Sequence, residues 1–286
     1  MNEIIILLGQ RVRSGTNFVG STLSKHPDVV TVPLDKSLGE FNLFRGRGVE
    51  LEFNKISESS FGMDLSNDDL SSYLKEYGKS WINFLRVKYN IPDHKTIFIK
   101  TCVIHNLDLW RMSFPEAKIA VIFRDGRDNV ISSVRASYDK RSWHKLYIKF
   151  KKRINYYSGR SFINHTRHWI KTAKVLSQIQ TSKQIQLFNY EELNNSKSNV
   201  KSLLEHYQLK VTESILEDCL NAPVIGSSFG FNTQGTIKPN WIPVTDKTAF
   251  QFSNKWKHWS VIKKLVFKFL AGNELVKLGY EKDSKW

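Results

Sequence analysis

The chain opens with Ile4-Ile5-Ile6-Leu7-Leu8, followed by Gly9-Gln10-Arg11-Val12-Arg13-Ser14-Gly15-Thr16-Asn17 and then by a helical pattern from Phe18 to Lys25. Five apolar residues that end at a glycine predict a buried β-strand. The segment after this strand holds two glycines, two arginines and two hydroxyl side chains. Because a helix N-terminus presents N–H donors and the positive end of its dipole, this strand-loop-helix predicts a site for a phosphate or sulfate group.

Further along the chain, short apolar strands alternate with helical patterns. Strands are predicted at Ile4–Leu8, Thr96–Ile99, Ile119–Phe123 and Gln184–Phe188. The predicted helices are Phe18–Lys25, Leu70–Tyr89, Asn106–Met112, Asp128–Ser137, Ser161–Gln178, Asn199–Tyr207 and a last one within Trp256–Tyr280. This alternation predicts an α/β fold with a P-loop-like central parallel β-sheet flanked by helices on both faces. Ligands in such sheets bind at the carboxyl ends of the strands, where the Gly9–Asn17 loop falls.

Composition sets broader limits on the protein. With 286 residues, 41% of them hydrophobic and 24% charged, a single domain over residues 1–286 with a large core is expected. The longest apolar runs are too short to span a membrane. A strand that begins three residues after Met1 leaves no room for a signal peptide, so a cytoplasmic location is expected. Cys102 and Cys219 are too few for a disulfide framework and are expected to be reduced.

The first loop lacks the features of an ATP-binding loop. In the motif G-x-x-x-x-G-K-[ST], the second glycine is followed by a lysine that contacts the terminal phosphates and a hydroxyl that contacts magnesium. Here Gly15 is followed by Thr16 and Asn17, and Arg13 precedes it by two residues. The eight histidines show no metal-ligand spacing either. We therefore expect an anion held by arginine and backbone donors without a metal ion.

A second strand-turn-helix occurs at Arg124-Asp125-Gly126-Arg127-Asp128-Asn129-Val130-Ile131-Ser132-Ser133-Val134-Arg135. Arg124 ends its strand, and Ser132 lies two helical turns later. Arginine suits phosphate because its paired N–H donors match two oxygens. The sequence leaves open whether Arg127 and Asp128 belong to this site or form structural ion pairs. Two anion sites at one sheet edge predict a ligand with two separate anionic groups, such as a nucleotide phosphorylated at both ends of its ribose.

These motifs, in this order, resemble those of the sulfotransferases that use 3′-phosphoadenosine 5′-phosphosulfate (PAPS) and release adenosine 3′,5′-bisphosphate (PAP). Arg13–Asn17 is similar to the family's R-S-G-T-T loop, and Arg124–Ser132 to its R-D-x-R-x-x-x-x-S segment. Tyr190–Leu193 is similar to Y-E-x-L, and the ending Leu270–Tyr280 resembles bacterial members. The chain is similar to glycan and protein-tyrosine sulfotransferases in particular. One departure is Asn17, which stands in place of the loop's second threonine.

The resemblance implies a set of cofactor-binding residues. Arg124 and Ser132 would hold the 3′-phosphate with help from Arg135, and Tyr190 would pack near the adenine. The residues implied to cradle the 5′-phosphosulfate are Arg13, Ser14, Gly15, Thr16 and Asn17. The residues that resemble the family's cofactor-closing C-terminal loop are Ser227, Ser228 and Lys238.

The resemblance also implies catalytic residues. Sulfuryl transfer, like phosphoryl transfer, needs cations at the leaving oxygen and a base for the acceptor hydroxyl. Arg13 and Lys100 are the cationic candidates, since Lys100 lies where protein-tyrosine sulfotransferases have a catalytic lysine. Asp35 and Glu40 are the candidate bases. Glu40 is favoured because it precedes aromatic residues, as in the E-x-x-F-F segment of glycan sulfotransferases, which also favours a glycan or glycolipid acceptor.

The strong positive charge admits other interpretations. A net charge of +16 favours polyanions, anionic membrane surfaces or anionic small ligands. The basic and aromatic stretch at 141–160 is either a solvated helix face or a surface for an anionic acceptor or a membrane headgroup. A nucleotide kinase would need the missing loop lysine and magnesium. A nucleic-acid-binding protein would explain the charge but not two arginine-bearing loops, so nucleic acid is not an expected partner.

Overall fold

The computed structural model describes residues 3–34, 38–58, 65–137, 146–225, 243 and 253–283, and its centre is a parallel β-sheet. Five strands lie in the order β2-β3-β1-β4-β5, and every neighbouring pair is parallel. The strands are β1 Ile4–Gly9, β2 Val29–Thr31, β3 Thr96–Thr101, β4 Lys118–Phe123 and β5 Ile185–Asn189. β1 is the middle strand, and all six of its residues are buried. The uninterrupted apolar run at the start of the chain is thus explained by burial on both faces.

Helices cover both faces of the sheet, which confirms the predicted fold class. They are α1 Thr16–Leu23, α2 Gly48–Ser57, α3 Asn67–Tyr89, α4 Leu107–Ser113, α5 Gly126–Ser137, α6 Leu146–Tyr157, α7 Arg160–Leu176, α8 Tyr190–Asn195, α9 Lys197–His206, α10 Glu213–Leu220 and α11 Val261–Lys277. A short 3-10 helix covers Lys255–His258. In the part of the chain given above, no helix is both long and apolar enough to cross a membrane.

Alternating side chains of β1 divide the core into two layers. Ile4, Ile6 and Leu8 pack in the layer that includes residues of α3 and α4. Ile5 and Leu7 point to the opposite face and pack with residues of α1, α9 and α10. This division follows from the two-residue period of a strand. A third apolar cluster joins α5, α7 and α11 through Val130, Trp169 and Phe267 among others.

The four predicted strands are confirmed within two residues of their expected ends, but β2 was not predicted. Val29–Thr31 pairs with Thr96–Phe98 of β3 at the edge of the sheet. A three-residue strand is too short to show a periodic pattern, so its formation depends on the edge that β3 offers. β2 matters for the site because the chain continues from it towards Glu40, beside the end of β3.

Candidate functional site

The loop between β1 and α1 is a compact turn with its backbone donors at the start of a helix. Arg13 and Gly15 have left-handed backbone angles, with φ of 74° and 100°. The Ser14 amide donates to the Arg11 carbonyl at 3.2 Å, and the Arg11 amide donates to Ser14 Oγ at 3.3 Å. No side chain caps the N-terminus of α1. An anion bound at this loop would therefore accept hydrogen bonds from the first N–H groups of the helix.

Gly15 is required by both its backbone angle and its surroundings. A Cβ atom at this position would lie 2.2 Å from Cδ2 of Tyr190. Tyr190 is buried, and burial raises the pKa of its hydroxyl to about 12. Its ring also contacts Phe18 of α1 edge-on, with the centroids 5.9 Å apart. Tyr190, the first residue of α8, therefore packs directly against the turn at Gly15.

The two arginine-bearing loops are in direct contact. Nε of Arg13 donates to Ser132 Oγ at 3.0 Å, across 119 residues of sequence. Nη1 of Arg124 donates to the carbonyl of Arg13 at 3.1 Å. Asn129, one turn into α5, donates to the Val12 carbonyl at 3.2 Å and to Ser14 Oγ at 3.3 Å. The residues predicted for the two anion sites therefore lie side by side at the carboxyl ends of β1 and β4.

Arg124 is the buried centre of this site. Its guanidinium carbon lies 4.7 Å from the centroid of the Tyr190 ring, a cation–π contact. Its Nε lies 3.8 Å from Oε1 of Glu191, whose pKa is raised to about 7, mainly by burial. Burial and then the nearby Arg124 charge lower the pKa of Arg13. Arg13 and Arg124 therefore concentrate positive charge in one region. A bound anion would offset the repulsion between them.

Lys255 adds a further cation that the sequence analysis missed. Burial, then the charges of Arg124, Arg135 and Arg13, lower its pKa to about 8. Its backbone amide donates to Asp128 Oδ1 at 2.8 Å, which holds the 3-10 helix against α5. No sequence motif marks Lys255, because it lies more than a hundred residues after α5 and its segment reaches the site by tertiary packing on α5.

Arg127 forms structural ion pairs and Asp128 accepts structural hydrogen bonds, which answers the question that the sequence left open. Arg127 is buried and binds the Asp125 carboxylate at 2.6 Å and the Glu281 carboxylate. Its guanidinium also lies 3.9 Å from the ring centroid of Trp256. Asp128 accepts hydrogen bonds from the backbone amides of Asn254 at 2.6 Å and Lys255 at 2.8 Å. Both side chains therefore fasten the C-terminal segment to α5.

Buried Lys100 and partly exposed Glu40 form an ion pair beside the first loop. Lys100, the fifth residue of β3, is fully buried, and its Nζ lies 2.8 Å from Oε2 of Glu40. Glu40 forms a parallel bridge with Lys100, and the Phe41 amide donates to the Lys100 carbonyl at 2.8 Å. Nζ of Lys100 also donates to Oδ1 of Asn17 at 2.9 Å. The asparagine that departs from the family's threonine thus connects Lys100 to the loop.

Cys102 is a second residue that the sequence analysis did not assign. Its Sγ lies 3.3 Å from each carboxylate oxygen of Glu40 and 3.7 Å from Oγ1 of Thr16. Burial, then the Glu40 charge, raises the pKa of the thiol to about 11, so it is protonated at neutral pH and donates to Glu40. In an extended chain, residues i and i+2 lie on the same face. The spacing of Lys100 and Cys102 could therefore have predicted that both side chains point towards Glu40.

Four predicted residues fall outside the described part of the chain. They are Asp35, Ser227, Ser228 and Lys238. The role of Asp35 as the alternative base therefore stays a prediction. The same holds for the cofactor-closing loop with Ser227, Ser228 and Lys238. The described candidates lie in two adjoining groups, one around Arg13 and Arg124 and one around Lys100 and Glu40.

Comparison with known proteins identifies the family. The model of the sulfotransferase family matches residues 5–213, which include both loops, Glu40 and Lys100. The chain therefore belongs to the sulfotransferase family. This membership confirms the resemblance found in the motifs. It supports sulfuryl transfer over the nucleotide kinase and the nucleic-acid-binding protein that the composition admitted.

Solved structures of sulfotransferases share the fold. The sulfotransferase domain of the olefin synthase from Synechococcus PCC 7002 is 15% identical, with 93% of each chain covered and a TM-score of 0.50. Mouse sulfotransferase SULT7A1, solved in complex with PAP, is 13% identical, with 96% of this chain and 84% of the mouse chain covered and a TM-score of 0.51. No curated protein sequence matches this sulfotransferase significantly.

Proposed function

We propose that this sulfotransferase transfers the sulfuryl group of PAPS to a hydroxyl of a saccharide, on a glycan or glycolipid. The observation that carries the proposal is the hydrogen bond from Arg13 to Ser132, which joins the two anion loops into one site. A ligand with phosphates at both ends of a ribose needs two such loops side by side. The single domain over residues 1–286 and the cytoplasmic location stay predictions of the sequence.

The first loop and its neighbours suit the two ends of the nucleotide. Arg13 and the backbone donors at Ser14–Asn17 would hold the 5′-phosphosulfate at the start of α1. Arg124 and Ser132 would hold the 3′-phosphate, and Arg135 and Lys255 would add positive charge there. The fit rests on the uncapped helix N-terminus, on the close packing of Tyr190 against Gly15, and on the neighbouring cations. Tyr190, which contacts Gly15 and Arg124, would pack near the nucleoside.

The adjoining group supplies the acid–base chemistry. PAPS brings the activated sulfuryl group. Glu40 is the proposed base that takes the proton from the acceptor hydroxyl, and Nζ of Lys100 lies 2.8 Å from its carboxylate. Lys100 and Arg13 are the proposed cations that stabilise negative charge as it develops next to the loop. Because these side chains supply positive charge, we propose that transfer needs no metal ion.

Aromatic residues next to Glu40 support a saccharide acceptor. Phe41 packs against Trp81 of α3, with ring centroids 5.3 Å apart, and Trp81 packs against Phe84 at 5.5 Å. Phe84 is half exposed, and Ser80 and Asn83 lie exposed on the same helix. Aromatic faces with polar neighbours suit ligands that are apolar on one side and hydroxylated on the other. This row begins at the residue that follows the proposed base.

Calorimetry with PAP is the test of the cofactor site. PAP in the presence of a chelator is expected to bind with a micromolar or lower dissociation constant, because its two phosphates reach both loops. ATP with magnesium is expected to bind weakly, since the loop lacks the lysine. Magnesium-dependent ATP binding without PAP binding would support the nucleotide kinase instead.

Transfer of label from ³⁵S-labelled PAPS is the test of the acceptor. Incubation with oligosaccharides and with phenols should label the oligosaccharides, and label on phenols alone would refute the saccharide proposal.

Gly15→Ala is expected to weaken PAP binding by at least about tenfold, because the added Cβ meets the Tyr190 ring at 2.2 Å and the backbone is left-handed. Gly159→Ala is the matched control: Gly159 is also left-handed, with a φ of 76°, but has open space around its Cβ position. Backbone strain should cost each variant about 1–2 kcal/mol in thermal unfolding, and the overlap with Tyr190 should add to that loss in Gly15→Ala. Equal PAP affinity in the two variants would contradict a role for the Gly15–Tyr190 contact.

PAP affinity is expected to fall as the pH rises through about 8, because the Lys255 ammonium loses its proton there. The sign follows from charge: the protonated form attracts phosphate and the neutral form does not, and bound phosphate raises the lysine pKa. Lys255→Arg should remove most of this decline between pH 7.5 and 9, since arginine stays protonated. Calorimetry across that range is the measurement. An unchanged pH profile in the arginine variant would place Lys255 away from the nucleotide.

A further inference from the structure

A closed ring of side chains links the proposed base to the first turn of α1. The Glu40 carboxylate lies 2.8 Å from Nζ of Lys100 and 3.3 Å from Sγ of Cys102. Lys100 also donates to Oδ1 of Asn17 at 2.9 Å, and Cys102 lies 3.7 Å from Oγ1 of Thr16. Thr16 and Asn17 are the first two residues of α1, so they close the ring. The carboxylate is therefore connected on two sides to the loop proposed to hold the 5′-phosphosulfate.

The backbone that carries Glu40 is fixed to the end of β3. The Lys100 amide donates to the Gly39 carbonyl at 2.7 Å, and the Phe41 amide donates to the Lys100 carbonyl at 2.8 Å. Lys100 and Cys102 are two residues apart, and both side chains reach the Glu40 carboxylate. Because the backbone is held in place, the remaining freedom of Glu40 lies in its side-chain torsions, on which Lys100 and Cys102 act.

The Cys102 thiol is placed to control the last of these torsions. Its Sγ lies 3.3 Å from both carboxylate oxygens of Glu40, so rotation of the carboxylate would break this symmetric contact. Gly9 at the end of β1 allows the close approach, since a Cβ there would lie 2.8 Å from Cγ2 of Thr16 and 3.1 Å from the Cys102 carbonyl oxygen. A carboxylate accepts about four hydrogen bonds, so one thiol and one ammonium leave positions for an acceptor hydroxyl.

We propose that Cys102 is a positioning residue for sulfuryl transfer, which orients the Glu40 carboxylate towards the acceptor hydroxyl. In this step the acceptor oxygen bonds to sulfur, the bond from sulfur to the PAP oxygen breaks, and the hydroxyl proton passes to Glu40. The thiol keeps its own proton throughout and acts only through Glu40. The inference rests on the proposed function, because it takes Glu40 as the base.

Transfer from ³⁵S-labelled PAPS, to whichever acceptor the wild type labels, gives the first test. Cys102→Ala is expected to lower kcat by at least about tenfold, because a misdirected base loses its alignment with the hydroxyl, while PAP affinity changes less than about threefold. Cys102→Ser should restore kcat to within about threefold of the wild type, since a hydroxyl can donate to the same carboxylate. Cys219→Ala is the matched control, because Cys219 is a buried cysteine of α10.

A double-mutant cycle separates positioning from a structural role. In the Glu40→Gln background, Cys102→Ala should change kcat by less than about twofold, because the carboxylate that the thiol orients is absent. A repeated tenfold loss in that background would overturn the positioning role and leave Glu40 as the base. Wild-type kcat in Cys102→Ala would overturn it as well. Wild-type turnover in Glu40→Gln would instead refute the proposed base, and the positioning role with it.

Alkylation of the thiol tests the contact without any acceptor. In the Cys219→Ala chain, Cys102 is the one remaining cysteine. The Glu40 charge contributes to the raised pKa of this thiol. Glu40→Gln should therefore speed its reaction with uncharged iodoacetamide at pH 8 by at least about threefold, because more thiolate forms. Glu76→Gln, at an exposed position on α3, should leave the rate unchanged. Equal rates in all three chains would overturn the contact between Cys102 and Glu40, and with it the proposal.

Discussion

Glu40→Gln is expected to lower kcat by about 10²–10⁴-fold, the range typical for loss of a general base, while PAP affinity changes less than about threefold. The glutamine cannot take a proton from the acceptor, but its carbonyl oxygen can still accept from Lys100. Single-turnover transfer from labelled PAPS and calorimetry with PAP are the paired measurements. Glu76→Gln, an exposed glutamate on α3, is the control for loss of one negative charge.

Stability must be followed in the same variant, because Lys100 is fully buried and would lose its countercharge. Breaking a buried ion pair costs about 3–5 kcal/mol, and a smaller loss is expected here since the Glu40 side chain is 26% exposed. The double variant Glu40→Gln with Lys100→Met should recover part of the stability without recovering turnover. Wild-type turnover in folded Glu40→Gln would remove Glu40 as the base, and Asp35→Asn would then be the variant to measure.

Arg124→Met is expected to weaken PAP binding by about 30-fold or more, because removal of one member of a buried charge pair costs about 2–5 kcal/mol. The residue is buried, so water replaces its charge poorly. Adenosine 5′-monophosphate, which lacks the 3′-phosphate, provides the comparison ligand. Its affinity should change much less, because the proposed contact of Arg124 is with the missing phosphate.

Two outcomes would revise the role of Arg124. An equal loss for both ligands would show that Arg124 acts by holding the Arg13 carbonyl, which it contacts at 3.1 Å, and so shapes the whole loop. Arg127→Met is the control for a buried arginine with a structural role. It should lower the melting temperature, since it joins Asp125 and Glu281, while changing the ratio of the two affinities little.

The candidate site was only partly accessible to sequence reasoning. Arg13, Ser132 and Arg124 stand in local strand-loop-helix patterns, so their types and neighbours pointed to anion binding before any contact was known. Glu40 and Lys100 were suggested separately, each by resemblance, and their contact at 2.8 Å depends on pairing across 60 residues. Cys102 and Lys255 carry no motif. Their positions follow from the extension of β3 and from the packing of the 3-10 helix on α5.

Local residue patterns are sufficient to specify the sheet and the chemistry of its edge. Uninterrupted apolar runs specify buried parallel strands, and a glycine turn before a helix specifies N–H donors for an anion; both are properties of neighbouring residues. Which side chains meet depends on the tertiary structure. The fold forms β2, joins Asn17 to Lys100, places Arg127 in structural ion pairs and places Asp128 in hydrogen bonds to the 3-10 helix. Contacts between distant segments depend on strand order and helix packing, which no local pattern encodes.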